Sequence, residues 1–122
     1  MTALGYFKVK LGEKGEELAR KFLKKKGYKL IEQNYKTPLG EIDIIAKDKD
    51  TVVFIEVKAR ESLAYGLPFE AVNSAKKRKI ANVALLYLKR FKEMPPCRFD
   101  VVSINHENDK PQFELIKDAF EI

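Results

Sequence analysis

An apolar stripe at helical spacing runs through the first part of the chain and predicts a helix from about Leu11 to Lys26. The stripe consists of Leu11, Gly15, Leu18 and Phe22, with Ala19 beside it. Lys24–Lys26 and the following Gly27 suit a helix C-terminus, because cations favour the negative end of the helix dipole and glycine accepts a left-handed backbone.

The next segments have the hydrophobic patterns of strands. Tyr28–Tyr35 predicts a strand of mixed pattern, and Pro38-Leu39-Gly40 is a turn signal. Glu41–Ala46 alternates polar and apolar residues, whereas Val52–Val57 is rich in β-branched residues. The polar connection Lys47–Thr51 has the length of a hairpin turn, so these two segments predict an antiparallel hairpin.

A second apolar stripe predicts a long helix from Phe69 to about Lys92, which Pro95-Pro96 ends. The stripe consists of Ile80, Val83, Ala84, Tyr87, Leu88 and Phe91. Arg98–Ile104 and Phe113–Ile116 predict two more strands around the polar turn Asn105–Lys110. The order helix, three strands, helix, two strands predicts an α/β or α+β fold, with a sheet sandwiched by helices.

The chain has 122 residues, of which 45% are hydrophobic, so we expect one domain over residues 1–122 with an ordered core at about 11–120. No apolar run approaches the roughly 20 residues that cross a bilayer. The N-terminus lacks the apolar region of a signal peptide. These features predict a cytoplasmic protein without a membrane partner.

The net charge and the reactive residues limit which partners and which catalytic mechanisms the sequence favours. The 24 basic and 18 acidic residues give a net charge of +6, which favours an anionic partner such as nucleic acid. Cys97 is the single cysteine, which excludes an intrachain disulfide and a Cys-rich zinc site and predicts a buried small apolar residue. His106 is the single histidine and falls in the predicted turn, which disfavours a catalytic mechanism that depends on it.

The register of the predicted hairpin decides which side chains share a face. A four-residue turn pairs Lys47 with Val52, and strand side chains alternate between faces. One face then carries the charged residues Glu41, Asp43, Glu56 and Lys58. The other face carries apolar residues that can pack on a helix: Ile42, Ile44, Ile55 and Val57. In this register Asp43 lies opposite Glu56, and Glu41 lies opposite Lys58.

Two acids on one face of a hairpin indicate a cation site. Carboxylates about 5 Å apart repel each other unless a cation lies between them. Mg²⁺ suits Asp43 and Glu56, because it takes a few carboxylate oxygens together with water and phosphate oxygens. Lys58 lies within reach of a water at that site, as metal-assisted phosphodiester hydrolysis requires. The alternative is an ordinary solvated sheet face, because a charge pattern alone does not establish chemistry.

The segments Gly40–Ala46 (GEIDIIA) and Val53–Arg60 (VFIEVKAR) resemble the restriction-endonuclease-like, PD-(D/E)xK type of site. More closely, the whole chain resembles the YraN-like family of small uncharacterised bacterial proteins, which is similar to archaeal Holliday-junction resolvases. Further matching segments are Gly12–Glu16, Tyr65–Pro68, Glu70–Asn73 with Lys76 and Arg78, and Cys97–Val102. The resemblance covers about residues 11–120.

This resemblance implies a restriction-endonuclease-like α/β fold with a central mixed sheet flanked by helices. It implies that Asp43 and Glu56 are ligands of Mg²⁺ or Mn²⁺, that Lys58 is the catalytic lysine and that Glu16 is the first-helix acid. Glu16 has an alternative interpretation as a charge favoured near a helix N-terminus. Ile42 stands where the motif has proline, which bears on backbone shape rather than on metal binding.

A basic run predicts a nucleic-acid-binding surface. Lys76, Lys77, Arg78 and Lys79 follow the cap-type residues Asn73 and Ser74. Arg60 could extend this strip toward Lys58, and such a strip would contact phosphates without reading bases. Tyr65 could stack on an unpaired base. The alternatives are an ordinary solvated helix face and, for Tyr65, a packing residue.

Three functions follow from these patterns. The first is a Mg²⁺-dependent endonuclease or resolvase-like phosphodiesterase acting on DNA, branched DNA included. The second is a nucleic-acid-binding module of the same fold without turnover, and the third is a protein-interaction domain. A resolvase-like protein would also be a homodimer, for which an exposed β-edge and the apolar side of Leu86 and Phe91 are candidate interfaces.

Overall fold

The computed structural model describes residues 15–60, 74–107 and 110–121. Helix α1 occupies residues 15–25 of the described part. The remaining elements, in chain order, are β1 (Lys29–Thr37), β2 (Gly40–Asp48), β3 (Thr51–Arg60), α2 (Ser74–Leu88), β4 (Cys97–Glu107) and β5 (Lys110–Ile116). The predicted order of helices and strands is therefore confirmed.

The five strands form one sheet in the order β1-β2-β3-β4-β5. Strands β1, β2 and β3 pair antiparallel, β3 pairs parallel with β4, and β4 pairs antiparallel with β5. The parallel step needs a long crossover connection, and α2 lies within it. The sheet is therefore mixed, as predicted.

Each face of the sheet is covered by one helix. On one face, α1 packs through Ala19 and Leu23 against strand residues that include Ile44, Ala46, Val53, Ile55, Val102 and Ile104. On the other face, α2 packs through Ile80, Val83, Ala84, Tyr87 and Leu88 against strand residues that include Ile42, Ile45, Val52, Phe54, Phe99 and Val101. The protein is thus an α/β structure with a five-stranded sheet flanked by two helices.

Helix α1 is rotated relative to the predicted stripe. Ala19 and Leu23 are fully buried, whereas Leu18 and Phe22 are only partly buried at the margin of the core. A close approach of helix and sheet favours the small side chain of Ala19 in the middle, so Leu18 and Phe22 of the predicted stripe pack at the margin. Gly15 makes that approach possible: a Cβ at this position would lie 2.8 Å from Ala59 Cβ.

The predicted end of α1 is confirmed. Gly27 has a φ of 92°, which an L side chain rarely adopts. The Tyr28 N–H donates to the Leu23 carbonyl at 3.0 Å, and the Gly27 N–H donates to the Lys24 carbonyl at 3.0 Å. This pair of bonds is the Schellman motif, which turns the chain from α1 into β1.

The predicted hairpin register is also confirmed. Lys47 pairs with Val52, and the paired positions run from Asp48–Thr51 to Ile44–Ile55. Lys49, in the turn, has a φ of 57°, as two-residue hairpin loops require. Pro38 and Leu39 form the predicted turn between β1 and β2.

The predicted faces of β2 are only partly correct. Ile42 packs on the α2 side and Ile44 packs on the α1 side. In a regular strand, residues that are two positions apart share a face. The paired positions Gln33–Ile44 and Tyr35–Ile42 enclose Asn34 and Asp43. Asn34 has a φ of 50°, so the regular alternation of the sheet is broken there.

Three smaller predictions about the second half were wrong. Helix α2 ends at Leu88 rather than Lys92. The chain must extend after the helix so that Pro96 reaches Val52, and the Val52 N–H donates to the Pro96 carbonyl at 2.9 Å. Strand β4 extends to Glu107 and β5 begins at Lys110, so most of the predicted turn Asn105–Lys110 is strand, and His106 pairs with Pro111. Cys97 is exposed rather than buried, since it begins β4 at the end of the sheet.

A buried ionic network closes the end of the sheet that lies away from Asp43. Asp100 is fully buried and accepts hydrogen bonds from Tyr28 Oη at 2.9 Å and Arg98 Nε at 2.8 Å. Arg98 also donates to Asp48 at 3.0 Å. Each charge has a partner, so this network joins β2 and β4 to Tyr28, the residue before β1. Within the described ranges, no helix is long and apolar enough to span a membrane.

Candidate metal and phosphate site

The candidate site lies where the β2–β3 ladder ends. Beyond the pair Ile44–Ile55, Asp43 does not take the predicted place directly opposite Glu56 in the ladder. Its Oδ2 instead accepts a hydrogen bond from the Val57 N–H at 2.8 Å. The break in β2 therefore turns the Asp43 carboxylate toward the backbone of β3, close to Glu56.

Glu56 and Lys58 share the α2 face of β3, which follows from their alternation with the buried Phe54. Lys58 Nζ lies 3.3 Å from Glu56 Oε1. Lys76, from the first turn of α2, places its Nζ 2.6 Å from the same oxygen. Glu56 is only 8% exposed, so these charges meet in a largely desolvated place.

Glu16, from α1, and Glu41, from β2, approach the cluster through a common partner. The Asn34 side-chain amide, oriented so that its nitrogen faces the acids, donates to Glu16 Oε2 at 3.1 Å and to Glu41 Oε1 at 3.1 Å. The left-handed backbone of Asn34 makes this bridge possible. The predicted pairing of Glu41 with Lys58 does not occur in the ladder, because β2 has diverged from β3 at that point.

Burial and the neighbouring acids raise the proton affinity of Asp43. Burial is the main cause that raises the pKa of Asp43 to about 7, and the charges of Glu56, Glu16 and Glu41 add to it. The Val57 N–H acts in the opposite direction. An acid that is costly to ionise beside other carboxylates is typical of a place where a cation belongs.

The two lysines respond differently to this environment. Burial, with a contribution from Lys76, lowers the pKa of Lys58. Burial also lowers the pKa of Lys76, but contacts with Glu56 and Lys58 outweigh it, so that the net shift is upward. Lys58 is therefore the amine that gives up a proton more readily.

The structure brings together the residues Glu16, Asp43, Glu56 and Lys58 of the predicted metal site. Lys76, which the sequence assigns to the basic strip, joins them through Glu56. Lys77 lies over the Phe120 ring at 5.5 Å, on a different side of the helix turn. Arg78 and Lys79 are exposed. The side chain of Arg60 and the whole of Tyr65 lie outside the described residues.

Sequence reasoning missed three residues around the site. Asn34 carries a weak signal, as asparagine is one of the few residues that accept a positive φ. Ser103 and Asn105 are buried polar residues of β4 beside Lys58 and Arg60. Asn105 Oδ1 has no hydrogen-bond partner among the described residues. Their signal was the alternation of Ser103 and Asn105 with the apolar residues Val102 and Ile104.

Asp43 and Glu56 fit a divalent cation in part. Among the described residues, no three acidic, histidine or cysteine side chains converge closely enough to hold a metal ion by themselves. Mg²⁺ commonly takes one or two carboxylates and completes its shell with water and substrate phosphate. The Lys76 ammonium already on Glu56 shows that the carboxylate attracts a cation. The donor set therefore suits an ion that shares its ligands with a substrate.

Comparison with known sequences identifies the family. The profile of the uncharacterised protein family UPF0102 matches residues 15–104, which is more than half of the chain. A UPF0102 protein of Thermodesulfovibrio yellowstonii is 48% identical over 113 residues, covering 93% of this chain and 97% of the relative. A UPF0102 protein of Syntrophus aciditrophicus is 45% identical over 115 residues, covering 93% and 91%. The chain therefore belongs to the uncharacterised protein family UPF0102.

Proposed function

We propose that this protein is a Mg²⁺- or Mn²⁺-dependent nuclease with a restriction-endonuclease-like fold, which hydrolyses phosphodiester bonds of DNA. One observation carries the proposal: Asp43, Glu56 and Lys58 meet where the central hairpin opens, and the pKa of Asp43 is raised to about 7 by burial and by neighbouring acids. A solvated sheet face would leave its charges in water, without such a shift.

The placement of the site supports the same interpretation. Glu56 and Lys58 come from a strand at the middle of the sheet, which both helices hold in place. Asp43 comes from the neighbouring strand and is fixed by the Val57 N–H. Catalytic groups need such rigid supports, because an error of about 1 Å in position costs much of the rate.

Asp43 and Glu56 would hold the metal ion. When bound, the ion stabilises charge on the phosphate and favours the ionisation of water at the site. Lys58 would then orient the attacking water, and its lowered pKa favours the neutral amine that can take the proton of that water. Asn34 keeps Glu16 and Glu41 in place beside the metal ligands.

The charge distribution favours DNA as the substrate. The net charge is +6, although four acids gather at the site. The exposed Arg78 and Lys79 lie on the first turns of α2, which also carries Lys76 to Glu56. A phosphate backbone that crosses this part of α2 would pass beside Asp43 and Glu56.

A cleavage assay tests the proposal. Purified protein is incubated with a branched and a linear DNA in Mg²⁺, Mn²⁺ or EDTA. We expect metal-dependent products, and Asp43→Ala and Lys58→Ala each reduce the rate roughly 100-fold or more. Asp50→Ala and Lys47→Ala are matched controls, because they make the same changes at exposed positions of the same hairpin, and they should cut normally.

The same assay distinguishes the other functions. DNA retention without products in either metal indicates a binding module of this fold. Neither products nor retention at moderate salt indicates a protein-interaction domain. Cleavage that survives in Asp43→Ala would contradict the proposed site.

A further inference from the structure

Two ammonium groups contact one carboxylate oxygen of the site. Lys76 Nζ lies 2.6 Å from Glu56 Oε1, and Lys58 Nζ lies 3.3 Å from it. This is a carboxylate that the proposed function assigns to a metal ion. A metal ion bound to Oε1 would lie close to both ammonium groups, and like charges at such distances repel strongly.

The two lysines are held by different elements. Lys58 lies two residues after Glu56 on β3, so the pairing of β3 with β4 fixes its backbone next to the carboxylate. Lys76 lies on α2 and reaches the sheet through its flexible four-carbon side chain. A rotation of that side chain can therefore move the Lys76 ammonium without moving the sheet.

The position of Lys76 is unfavourable for the helix itself. The first turn of α2 contains no acidic residue, although the helix dipole favours acids there and disfavours cations. Contact with Glu56 offsets this local cost. Departures from local preference of this kind concentrate at functional sites.

We propose that Lys76 is a displaceable counter-ion, an inference that rests on the proposed function. Its ammonium neutralises Glu56 in the metal-free protein and leaves that carboxylate when a divalent cation binds there. A cavity of about 470 Å³, lined by Lys76, Lys79 and Glu41 among others, lies beside the site and gives the side chain room to move. Lys76 thus sets the affinity of the site for metal, because its ammonium competes with the metal ion for Glu56.

Metal affinity measured without DNA tests this role. In calorimetric titrations with Mn²⁺, we expect Lys76→Gln to bind about tenfold more tightly than the wild type, because the competing charge-assisted contact is gone. Lys79→Gln is the matched control, since it removes the same charge from the same cavity, and it should change the affinity less than about threefold. Lys76→Arg keeps the charge and should restore an affinity close to that of the wild type.

The outcomes separate this inference from the proposed function. Equal Mn²⁺ affinities of Lys76→Gln and Lys79→Gln, with binding abolished in Glu56→Gln, overturn the counter-ion role alone. Absence of Mn²⁺ binding in both the wild type and Lys76→Gln overturns the counter-ion role, whereas the proposed function is decided separately by metal-dependent cleavage of DNA.

A second measurement does not depend on how well the variants fold. In a structure of the wild-type protein with Mn²⁺ at Glu56, Lys76 Nζ should lie more than about 4 Å from Oε1. A bound metal with the Lys76 contact intact would rule out displacement.

Discussion

At the scale of single residues, Asp43 has two conflicting properties. It is held firmly, since its carboxylate accepts the Val57 N–H at 2.8 Å. Its ionised form is nevertheless unfavourable, because burial and the charges of Glu56, Glu16 and Glu41 raise its pKa to about 7. The metal-free protein therefore loses stability at a residue that the proposed function requires.

The sign of the pH dependence follows from this shift. The Asp43 pKa is higher in the folded than in the unfolded protein, where aspartate titrates near about 3.9. The folded state therefore binds the proton more tightly, and the contribution of Asp43 to stability falls as the pH rises from about 4 through about 7. Above that range the contribution is constant.

Asp43→Asn should reverse this loss. The amide oxygen can still accept the Val57 N–H, while the charge is absent. We expect the Tm of the variant to be about 5 °C higher than that of the wild type at pH 8. The difference should shrink as the pH is lowered toward 5. Thermal unfolding followed by circular dichroism at both pH values measures it.

The exposed Asp50 provides the control, because Asp50→Asn makes the same change outside the cluster. Its Tm should follow that of the wild type at both pH values. Added Mn²⁺ should stabilise the wild type at pH 8 but not Asp43→Asn. A lower Tm for Asp43→Asn at pH 8 would contradict a carboxylate whose ionised form is destabilised by burial and by neighbouring acids.

At the scale of elements, the contact of α1 with β3 positions Glu16. Gly15 lies so close to Ala59 that an added Cβ would come within 2.8 Å of the Ala59 Cβ. Glu16 is the next residue of α1, and Ala59 follows Lys58 on β3. The distance between helix and strand therefore determines how far Glu16 reaches toward Asp43.

Gly15→Ala should move α1 away from the sheet. We expect a loss of about 1–3 kcal/mol in the free energy of unfolding, as for overpacked cores, and weaker Mn²⁺ binding. Denaturant unfolding and calorimetry measure the two effects.

The double variant Gly15→Ala/Ala59→Gly tests the cause, because it removes the Cβ that the new methyl group meets. The double variant should recover part of the stability and metal affinity that Gly15→Ala loses. Strictly additive losses of stability would show that there is no steric conflict between the two positions.

At the scale of the whole molecule, the charge is arranged unevenly. Acids gather at the end of the central hairpin, whereas the first turns of α2 carry the exposed cations Arg78 and Lys79. The basic end of α1, with Lys24 and Lys25, is also exposed. Of these two exposed basic groups, the one on α2 adjoins the proposed site, through Lys76 and the cavity that it shares with Lys79.

DNA binding should therefore depend on salt mainly through α2. Each phosphate contact contributes about 0.9 to the slope of log affinity against log salt. We expect Arg78→Gln/Lys79→Gln to reduce the slope by about 2, and the matched double variant Lys24→Gln/Lys25→Gln to leave it nearly unchanged. Fluorescence anisotropy of labelled DNA over a salt series measures both. Equal reductions in the two variants would indicate binding by net charge alone.

The sequence predicted those features that arise between near neighbours. The hairpin register followed from the length of the turn after Lys47, and the end of α1 followed from Gly27. The charged positions Glu56 and Lys58 share a face because strands alternate with a period of two. The placement of Ile42 was wrong because the left-handed backbone of Asn34, on another strand, breaks that alternation.

Local periodicity and turn chemistry thus determined the elements, the order of strands in the hairpin and the residue types that could bind a metal. The tertiary structure alone decided that Lys76 contacts Glu56, that Asn34 joins Glu16 to Glu41, and that Cys97 is exposed. These contacts join residues far apart in the chain, and they depend on how closely each helix packs on the sheet. That packing is a sum of many side-chain contacts, which no short segment of sequence contains.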